Sequence, residues 1–218
     1  DTSAAAQNLQ YLSGQDIVPA FEGWAHNPDG SFTFYFGYLN RNYREELNIP
    51  LGPDNRIEPS HLEQTQPAYF YPRRHRFLFE VQVPAGWGDR DVTWTLTANG
   101  STTTAYGSRL PVWEVNEQTI SENRAGSGFA LGNQPPSIEL VGESQRVVTV
   151  GDTLSLTVRI SDDGIPETRP VGGAKDSRVV VDGSGRPLFG AGRFGRRNAM
   201  GLRAAWLQWR GPGKVTFD

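Results

Sequence analysis

The residues best suited to chemistry in this sequence are arginines in and beside a glycine-rich segment, 164–201, and the chemistry they suit is binding. Its end, GAGRFGRRNAMGLR, interleaves arginine with glycine and one phenylalanine. A guanidinium group forms bidentate hydrogen bonds with carboxylates and stacks on aromatic rings, and such a segment can become ordered on a partner surface. The predicted partner-binding residues are Arg178, Arg186, Arg193, Phe194, Arg196, Arg197 and Arg203.

Two other interpretations of this segment stay open. Acidic lipid headgroups are a second target for clustered arginines. A solvated flexible loop is the plainer interpretation, although loops this long are uncommon and often carry function.

An acidic turn, Asp162-Asp163-Gly164, is the one candidate metal site. Carboxylate oxygens are the ligands that calcium prefers, but six or more are needed. Asp152 and Asp176 are the nearby residues that could add to the set. The alternative is a turn that ends a strand, and no cofactor other than this calcium ion is predicted.

The sequence contains no recognisable catalytic constellation. It has no cysteine, which excludes disulfides, thiolate metal sites and a cysteine nucleophile. The three histidines are not spaced as a helical zinc pair, and no G-x-S-x-G, Walker A or EF-hand pattern occurs. We therefore predict that the chain is not an enzyme, with a hydrolase using the dispersed carboxylates Glu22, Glu80 and Glu114 as the least favoured option.

Aromatic residues raise the alternative of sugar binding. Exposed planar rings stack on sugars in carbohydrate-binding modules, and the six tryptophans are Trp24, Trp87, Trp94, Trp113, Trp206 and Trp209. Trp94 and Trp206 fall in the middle of predicted strands, where packing in the core is the usual fate. Tyr69, Tyr71 and Trp87 fall in or near turns, where exposure is expected.

Bulk composition restricts the partner classes. The 218 residues carry a net charge of −3, so the chain as a whole lacks the basic footprint of a nucleic-acid-binding protein. Residues 1–134 are acidic and residues 135–218 are basic. No apolar stretch reaches the roughly 18 residues that a membrane-spanning helix needs, so no transmembrane segment is predicted.

Alternation with a period of two residues dominates the chain and predicts an all-β fold. SFTFYFGYL, RFLFEVQV and DVTWTLTA each place apolar residues on one face, and Asn27-Pro28-Asp29-Gly30 and Asn99-Gly100 are turn signals. We expect a β-sandwich over 18–115, after an N-terminal extension over 1–17. A linker follows over 116–134, with a short helical turn at its start.

The remainder, 135–218, shows a family resemblance. VTVGDTLSLTVRISDDG and the later LRAAWLQWRGPGKVTF resemble the opening half of PKD-like and bacterial Ig-like domains. The resemblance implies a second β-sandwich module with the long arginine- and glycine-rich insertion 164–201. The sequence stops at Asp218, before the last strands of that family, so this second module is expected to be incomplete.

The first module resembles exported soil-bacterial proteins of unassigned function, through VPAFEGWAHNPDGSFTFYFGYLNRNYREELNIPLGPDNRIEP and YFYPRRHRFLFEVQVPAGW. The resemblance implies an exported protein, in the periplasm or at the cell surface and peripheral to a membrane.

The predicted function is that of a non-enzymatic docking protein. Such a protein would bind and stabilise a larger protein assembly associated with a membrane, and an extrinsic subunit of a respiratory or photosynthetic complex is one form. The alternative is a carbohydrate-binding module of a secreted protein. An incomplete sandwich favours docking because exposed strand edges pair with partner strands.

Overall fold

The computed structural model describes residues 11–125, 134, 136–165 and 204–217. The chain forms two compact units. The described part of the first unit is 11–125 and 206–217, and that of the second is 134, 136–165, 204 and 205. Both units are built on antiparallel strands with very little helix, so the prediction of an all-β fold is confirmed.

The described residues of the first unit form eight strands and one α-helix. They are β1 (Ile17–His26), β2 (Phe32–Asn40), β3 (Leu47–Asn48), β4 (Asn55–Glu58), β5 (Tyr69–Phe70), β6 (Arg73–Val83), β7 (Val92–Ala98), β8 (Ser101–Gly107) and α1 (Glu117–Ala125). One three-stranded sheet has the order β1-β2-β6, another has the order β4-β7-β8, and β3 pairs with β5. Every one of these pairings is antiparallel.

One hydrophobic core joins residues of both three-stranded sheets. Phe36 and Phe79 come from the first sheet, and Trp94 comes from the second. The Trp94 ring meets Phe79 edge to face, with the ring centroids 4.8 Å apart, a geometry worth about 0.5–1.5 kcal/mol beyond the buried area. The alternation seen in the sequence therefore produces the inward faces of the sheets.

A C-terminal strap, 206–217, belongs to the first unit. The carbonyl oxygen of Trp209 accepts hydrogen bonds from the backbone N–H groups of Ala68 (2.9 Å) and Tyr69 (3.2 Å). Its indole Nε1 donates to the carbonyl oxygen of Thr65 at 3.2 Å, and its side chain packs against the core. The strap therefore pairs with the chain at the start of β5.

Gln208 fixes the strap from within. The residue is buried, and its backbone N–H donates to the Tyr71 hydroxyl at 2.9 Å. Its side-chain amide donates to the Gly211 carbonyl at 3.0 Å and accepts from the Val215 N–H at 3.1 Å. The sequence analysis placed 206–217 in the second module. The structure differs because the strap bonds to residues near β5, more than 130 positions earlier in the chain.

The second unit contains one antiparallel pair of strands among its described residues, β9 (Ser137–Leu140) and β10 (Val158–Ser161). Ile138 lies opposite Ile160, and Arg159 pairs with Glu139 at 3.0 Å. An isolated two-stranded sheet has little stability of its own in water.

Several local expectations were wrong. Alternation in LPVWEV predicts a strand over 110–115, yet Pro111–Trp113 forms a 3-10 turn, since proline cannot donate to a strand ladder. Alternation in LRAAWLQW predicts another strand over 202–209, and its described residues, 204–209, are assigned to none. The helical turn expected at the start of 116–134 is, by contrast, confirmed, and it extends over nine residues as α1.

Candidate docking surface

Three large apolar side chains lie exposed in one short segment of the first unit. Leu110, Val112 and Trp113 expose 58%, 82% and 45% of their surface, and we call them the docking ridge. Contiguous exposed apolar surface on a folded protein commonly marks an interaction site. Sequence reasoning missed the ridge because LPVWEV, 110–115, was interpreted as a strand, although Pro111 was the available signal against it.

The ridge is held against the outer edge of β1. The indole Nε1 of Trp24 donates to the Leu110 carbonyl at 3.0 Å. The backbone N–H of Val115 donates to the Trp24 carbonyl at 2.9 Å, and Glu114 forms a parallel bridge with Trp24. Trp24 itself is buried, so a core residue fixes both ends of the exposed segment.

A glycine in β1 makes this close approach possible. Gly23 follows a bulge in β1 and has a φ of 138°, a conformation that residues with a side chain rarely adopt. A Cβ at this position would lie 2.7 Å from the Trp113 carbonyl oxygen and 2.5 Å from Val115 Cγ1. The ridge segment therefore sits where only glycine leaves room for it.

The core supports the ridge from beneath. The Trp113 ring contacts Phe21, with the centroids 5.7 Å apart. Phe21 in turn lies against Phe34 and Phe36, two fully buried residues of β2. Trp113 is thus a surface side chain with a rigid aromatic base, which limits the conformational entropy that a partner would have to remove.

Charged groups border the ridge. The Arg109 guanidinium stacks on Phe32 at 4.1 Å, and its Nε donates to the Gly88 carbonyl at 2.9 Å. Next to Trp113 in the chain, a Glu114 carboxylate oxygen lies 3.9 Å from His26 Nε2. An apolar centre with a polar border is the usual anatomy of a protein interface.

The predicted arginine site lies outside the described residues. That set comprises Arg178, Arg186, Arg193, Phe194, Arg196, Arg197 and Arg203. Their role in partner binding stays a prediction, as does a role in binding acidic lipid.

The acidic turn forms as expected, and its carboxylates have local partners. Asp162 accepts a hydrogen bond from Gly164 N–H (3.1 Å), and Asp163 accepts from Ile165 N–H (2.9 Å) and Gln134 N–H (2.8 Å). The hydrogen bonds from Ile165 and Gln134 lower the pKa of Asp163. Within the described ranges no three acidic or histidine side chains come together as a metal site, and calcium binding stays a prediction.

The described tryptophans differ widely in exposure. Trp94 is fully buried, as expected for a strand residue, whereas Trp206 exposes 37% of its surface. The exposure expected for Tyr69 and Trp87 is wrong, because both are buried. Trp113 is therefore the most exposed tryptophan in the described part of the chain.

Two of the candidate catalytic carboxylates, Glu22 and Glu114, take part in contacts that hold the fold or border the ridge. Glu22 is partly buried and forms an ion pair with Arg74. Burial raises the pKa of Glu22, and Arg74 opposes that rise. This arrangement ties β1 to β6, and Glu114 contributes to the border of the ridge instead.

A shallow groove of about 440 Å³ lies elsewhere on the first unit, between 47–54 and 97–99. Its lining mixes aliphatic, proline, asparagine and threonine residues, and Asp54 is the ionisable residue among them.

Comparison of the chain with protein-family models, curated proteins and solved structures found no match. The resemblance to PKD-like and Ig-like domains therefore stays a prediction from the residues. No helix in the described residues is long and apolar enough to span a membrane.

Proposed function

We propose that the chain is a non-enzymatic docking protein that binds and stabilises a larger protein assembly. The exposed docking ridge, fixed to β1 through Trp24, carries this proposal. Tryptophan is enriched among the residues that dominate binding energy in protein interfaces. Covering Val112 under a partner would contribute on the order of 1.5–3 kcal/mol, and Leu110 and Trp113, which are already partly covered, would each contribute a smaller amount.

The finer architecture belongs to the same proposal. We propose that the first unit is a β-sandwich, which two antiparallel three-stranded sheets sharing one core support. The second unit is proposed to be a partial PKD/Ig-like module. The two described strands favour this, since a sheet of two strands leaves edges suited to pairing with a partner strand.

Export and a membrane-associated assembly complete the proposal. They rest on the resemblance of the first module to exported proteins and on the absence of cytosolic motifs in the sequence. Fractionation of cells of the source organism would test them. Recovery with cytosolic markers would contradict export, and recovery with membranes that is released by salt would support peripheral attachment.

The decisive experiment compares two aspartate variants of exposed aliphatic residues. Val112→Asp places a charge on the ridge, and Leu51→Asp places the same charge on an exposed loop elsewhere in the first unit. Each tagged chain is crosslinked in native membranes, and the crosslinked subunits are identified. We expect one defined set of subunits with the wild type and Leu51→Asp, and its loss with Val112→Asp.

Retention of the same crosslinks in Val112→Asp would overturn the ridge as the docking surface. A wild-type chain without a defined crosslinked partner would overturn docking itself. Circular dichroism and the thermal midpoint of each variant provide the check that both have folded.

One observation favours the alternative of a carbohydrate-binding module, namely the exposed indole of Trp113. Stacking on a sugar requires the ring itself, whereas protein docking requires the whole apolar surface. Binding to a glycan array that is lost in Trp113→Ala and kept in Val112→Asp would favour sugar binding over docking.

A further inference from the structure

A second surface of the first unit is built by two buried asparagines. Asn40 and Asn42 are fully buried at the end of β2. The Asn42 amide donates to the Gln15 carbonyl (2.8 Å) and to Asn40 Oδ1 (2.9 Å), and the Asn40 amide donates to the Glu45 carbonyl (2.8 Å). A satisfied buried polar network of this kind makes a loop rigid, so the side chains that 41–45 presents are held in fixed places.

Arg73 lies beside this loop in an unusual conformation. Its backbone φ is 72°, in the left-handed region that a residue with a branched or long side chain rarely occupies. It pairs with Asn40 across the sheet, and its guanidinium lies 4.0 Å from the centre of the Tyr43 ring. Strained residues of this sort cluster at binding sites, where the surrounding structure pays for the strain.

The guanidinium of Arg73 keeps hydrogen-bond donors in reserve. Its Nη1 donates to the Arg41 carbonyl at 3.2 Å, and its Nε and Nη2 make no hydrogen bond with any described residue. Two other stacked arginines differ, because Arg90 donates its Nε to the Trp87 carbonyl and Arg109 donates its Nε to a backbone carbonyl as well. The guanidinium of Arg73 is thus held in place, while two of its nitrogen atoms remain available to a ligand.

The neighbours of Arg73 add a second cation and an apolar rim. Arg44 is exposed and has no side-chain partner within the described ranges. The backbone N–H groups of Tyr43 and Arg44 donate to the carbonyls of Tyr11 and Leu12, both at 3.0 Å. Tyr11 and Leu12 each expose 51% of their surface. Two arginines beside tyrosine and leucine form the composition of a protein interface.

We propose that this corner, formed by Arg44, Arg73 and Tyr43 with the Tyr11–Leu12 rim, binds a carboxylate side chain of an acidic peptide segment. A planar guanidinium with two unused N–H groups on one edge matches the two oxygens of a carboxylate. Binding at this corner would be local, because residues 1–134 carry nine arginines against fifteen acidic residues and so provide no broad positive field. The corner is independent of the docking ridge.

The test observes the guanidinium directly in the full chain. The Nε–H signals of ¹⁵N-labelled arginine are recorded by NMR during titration with a hexaglutamate peptide at low ionic strength. We expect the Arg73 signal to shift saturably and the Arg90 signal, a stacked arginine with its Nε already bonded, to stay in place. Arg73→Lys should weaken binding by about fivefold or more, since an ammonium cannot make the bidentate contact.

Two further samples keep the result unambiguous. Arg73→Gly removes the guanidinium and relieves the left-handed backbone, so its loss of binding cannot come from misfolding through strain. Val112→Asp alters only the ridge and should bind hexaglutamate as the wild type does. The ridge proposal and the carboxylate-binding proposal can therefore fail independently of each other.

Three results would overturn the proposal. One is an Arg73 signal that hexaglutamate leaves in place. Another is equal binding by Arg73→Lys or by Arg73→Gly. The third is a stronger response to phosphatidylserine vesicles or to inorganic polyphosphate than to hexaglutamate, which would assign the corner to phosphate groups.

Discussion

The indole Nε1 of Trp24 donates a hydrogen bond to the backbone carbonyl of Leu110 at 3.0 Å, across 86 positions of the chain. One end of this bond is buried in the core and the other belongs to an exposed apolar surface. Such a link lets the stability of the core determine the geometry of the surface. A ridge held in this way meets a partner with less entropy left to lose.

Removing that bond should loosen the ridge. In Trp24→Phe the Leu110 carbonyl loses its donor, and we expect a loss of about 1–2 kcal/mol of stability together with faster hydrogen exchange at the Val115 N–H. Partner crosslinking through the ridge should fall as well. Hydrogen exchange followed by mass spectrometry measures the first effect.

Trp87→Phe is the matched control for this variant. Trp87 is also buried, and its Nε1 donates to the Arg90 carbonyl at 2.7 Å. Trp87→Phe should lower the free energy of unfolding by a similar amount. Exchange at the Val115 N–H should not become faster than this loss of global stability explains. Equal effects of the two variants on Val115 would show that the Trp24 bond has no special role.

The C-terminal strap should be an integral part of the first unit. We expect Trp209→Ala to lower the free energy of unfolding by about 2–4 kcal/mol, because it removes a large packed side chain and a hydrogen bond to Thr65. The amides of Ala68 and Tyr69 should lose protection at the same time. Trp206→Ala, at an exposed position of the same strap, should change stability by less than about 0.5 kcal/mol. Urea unfolding followed by tryptophan fluorescence measures both variants, and equal effects would contradict the packing of Trp209.

The strands of the first unit could be predicted because their signal is local. Phe34 and Phe36 of β2, and Trp94 and Leu96 of β7, alternate with less buried or outward-facing residues over short distances. The turn over Asn27–Gly30 was equally clear, and its Gly30 N–H donates to Asn27 as a turn requires. A period of two residues is imposed by the geometry of a strand itself.

The sites could not be predicted in the same way because their causes are not local. The ridge depends on Trp24 meeting Leu110, and the strap depends on Trp209 meeting Ala68. No periodicity in the sequence encodes either pair. Asn40 likewise reads as an ordinary polar residue at a strand end, and only the fold shows that it is buried and bonded to Phe70 and Glu45.

A glycine in β2 should tolerate no side chain. A Cβ at Gly37 would lie 2.2 Å from the His75 carbonyl oxygen and 2.5 Å from Glu22 Oε1, in the region where Glu22 pairs with Arg74. We expect Gly37→Ala to cost about 1–3 kcal/mol through overpacking and through displacement of this ion pair. Gly86→Ala is the control, because a Cβ at Gly86 meets nothing within 4 Å, and it should be neutral or slightly stabilising. Thermal unfolding of both variants measures the difference, and a neutral Gly37→Ala would refute the close contact.

His75 should make the stability of the first unit depend on pH. Burial lowers the pKa of His75 below its ordinary value of 6.5, and the neighbouring Arg74 lowers it further. The ring stacks on Tyr38, with the centroids 4.7 Å apart, and its Nε2 lies 3.1 Å from the Pro72 carbonyl. The folded chain therefore holds this imidazole neutral at a pH where the unfolded chain already binds a proton.

The sign of the effect follows from that difference in protonation. Below pH 6.5 the unfolded state binds more protons than the folded state, so stability should decrease as the pH falls from 6.5 towards the folded pKa. Each unit by which the pKa is lowered corresponds to about 1.4 kcal/mol. In His75→Gln this contribution disappears, and the difference between the two stability profiles from pH 7 to pH 5 isolates it from the opposite trend of Glu22, whose pKa is raised. Urea unfolding at half-unit steps of pH measures both profiles, and parallel profiles would show that His75 is protonated equally in both states.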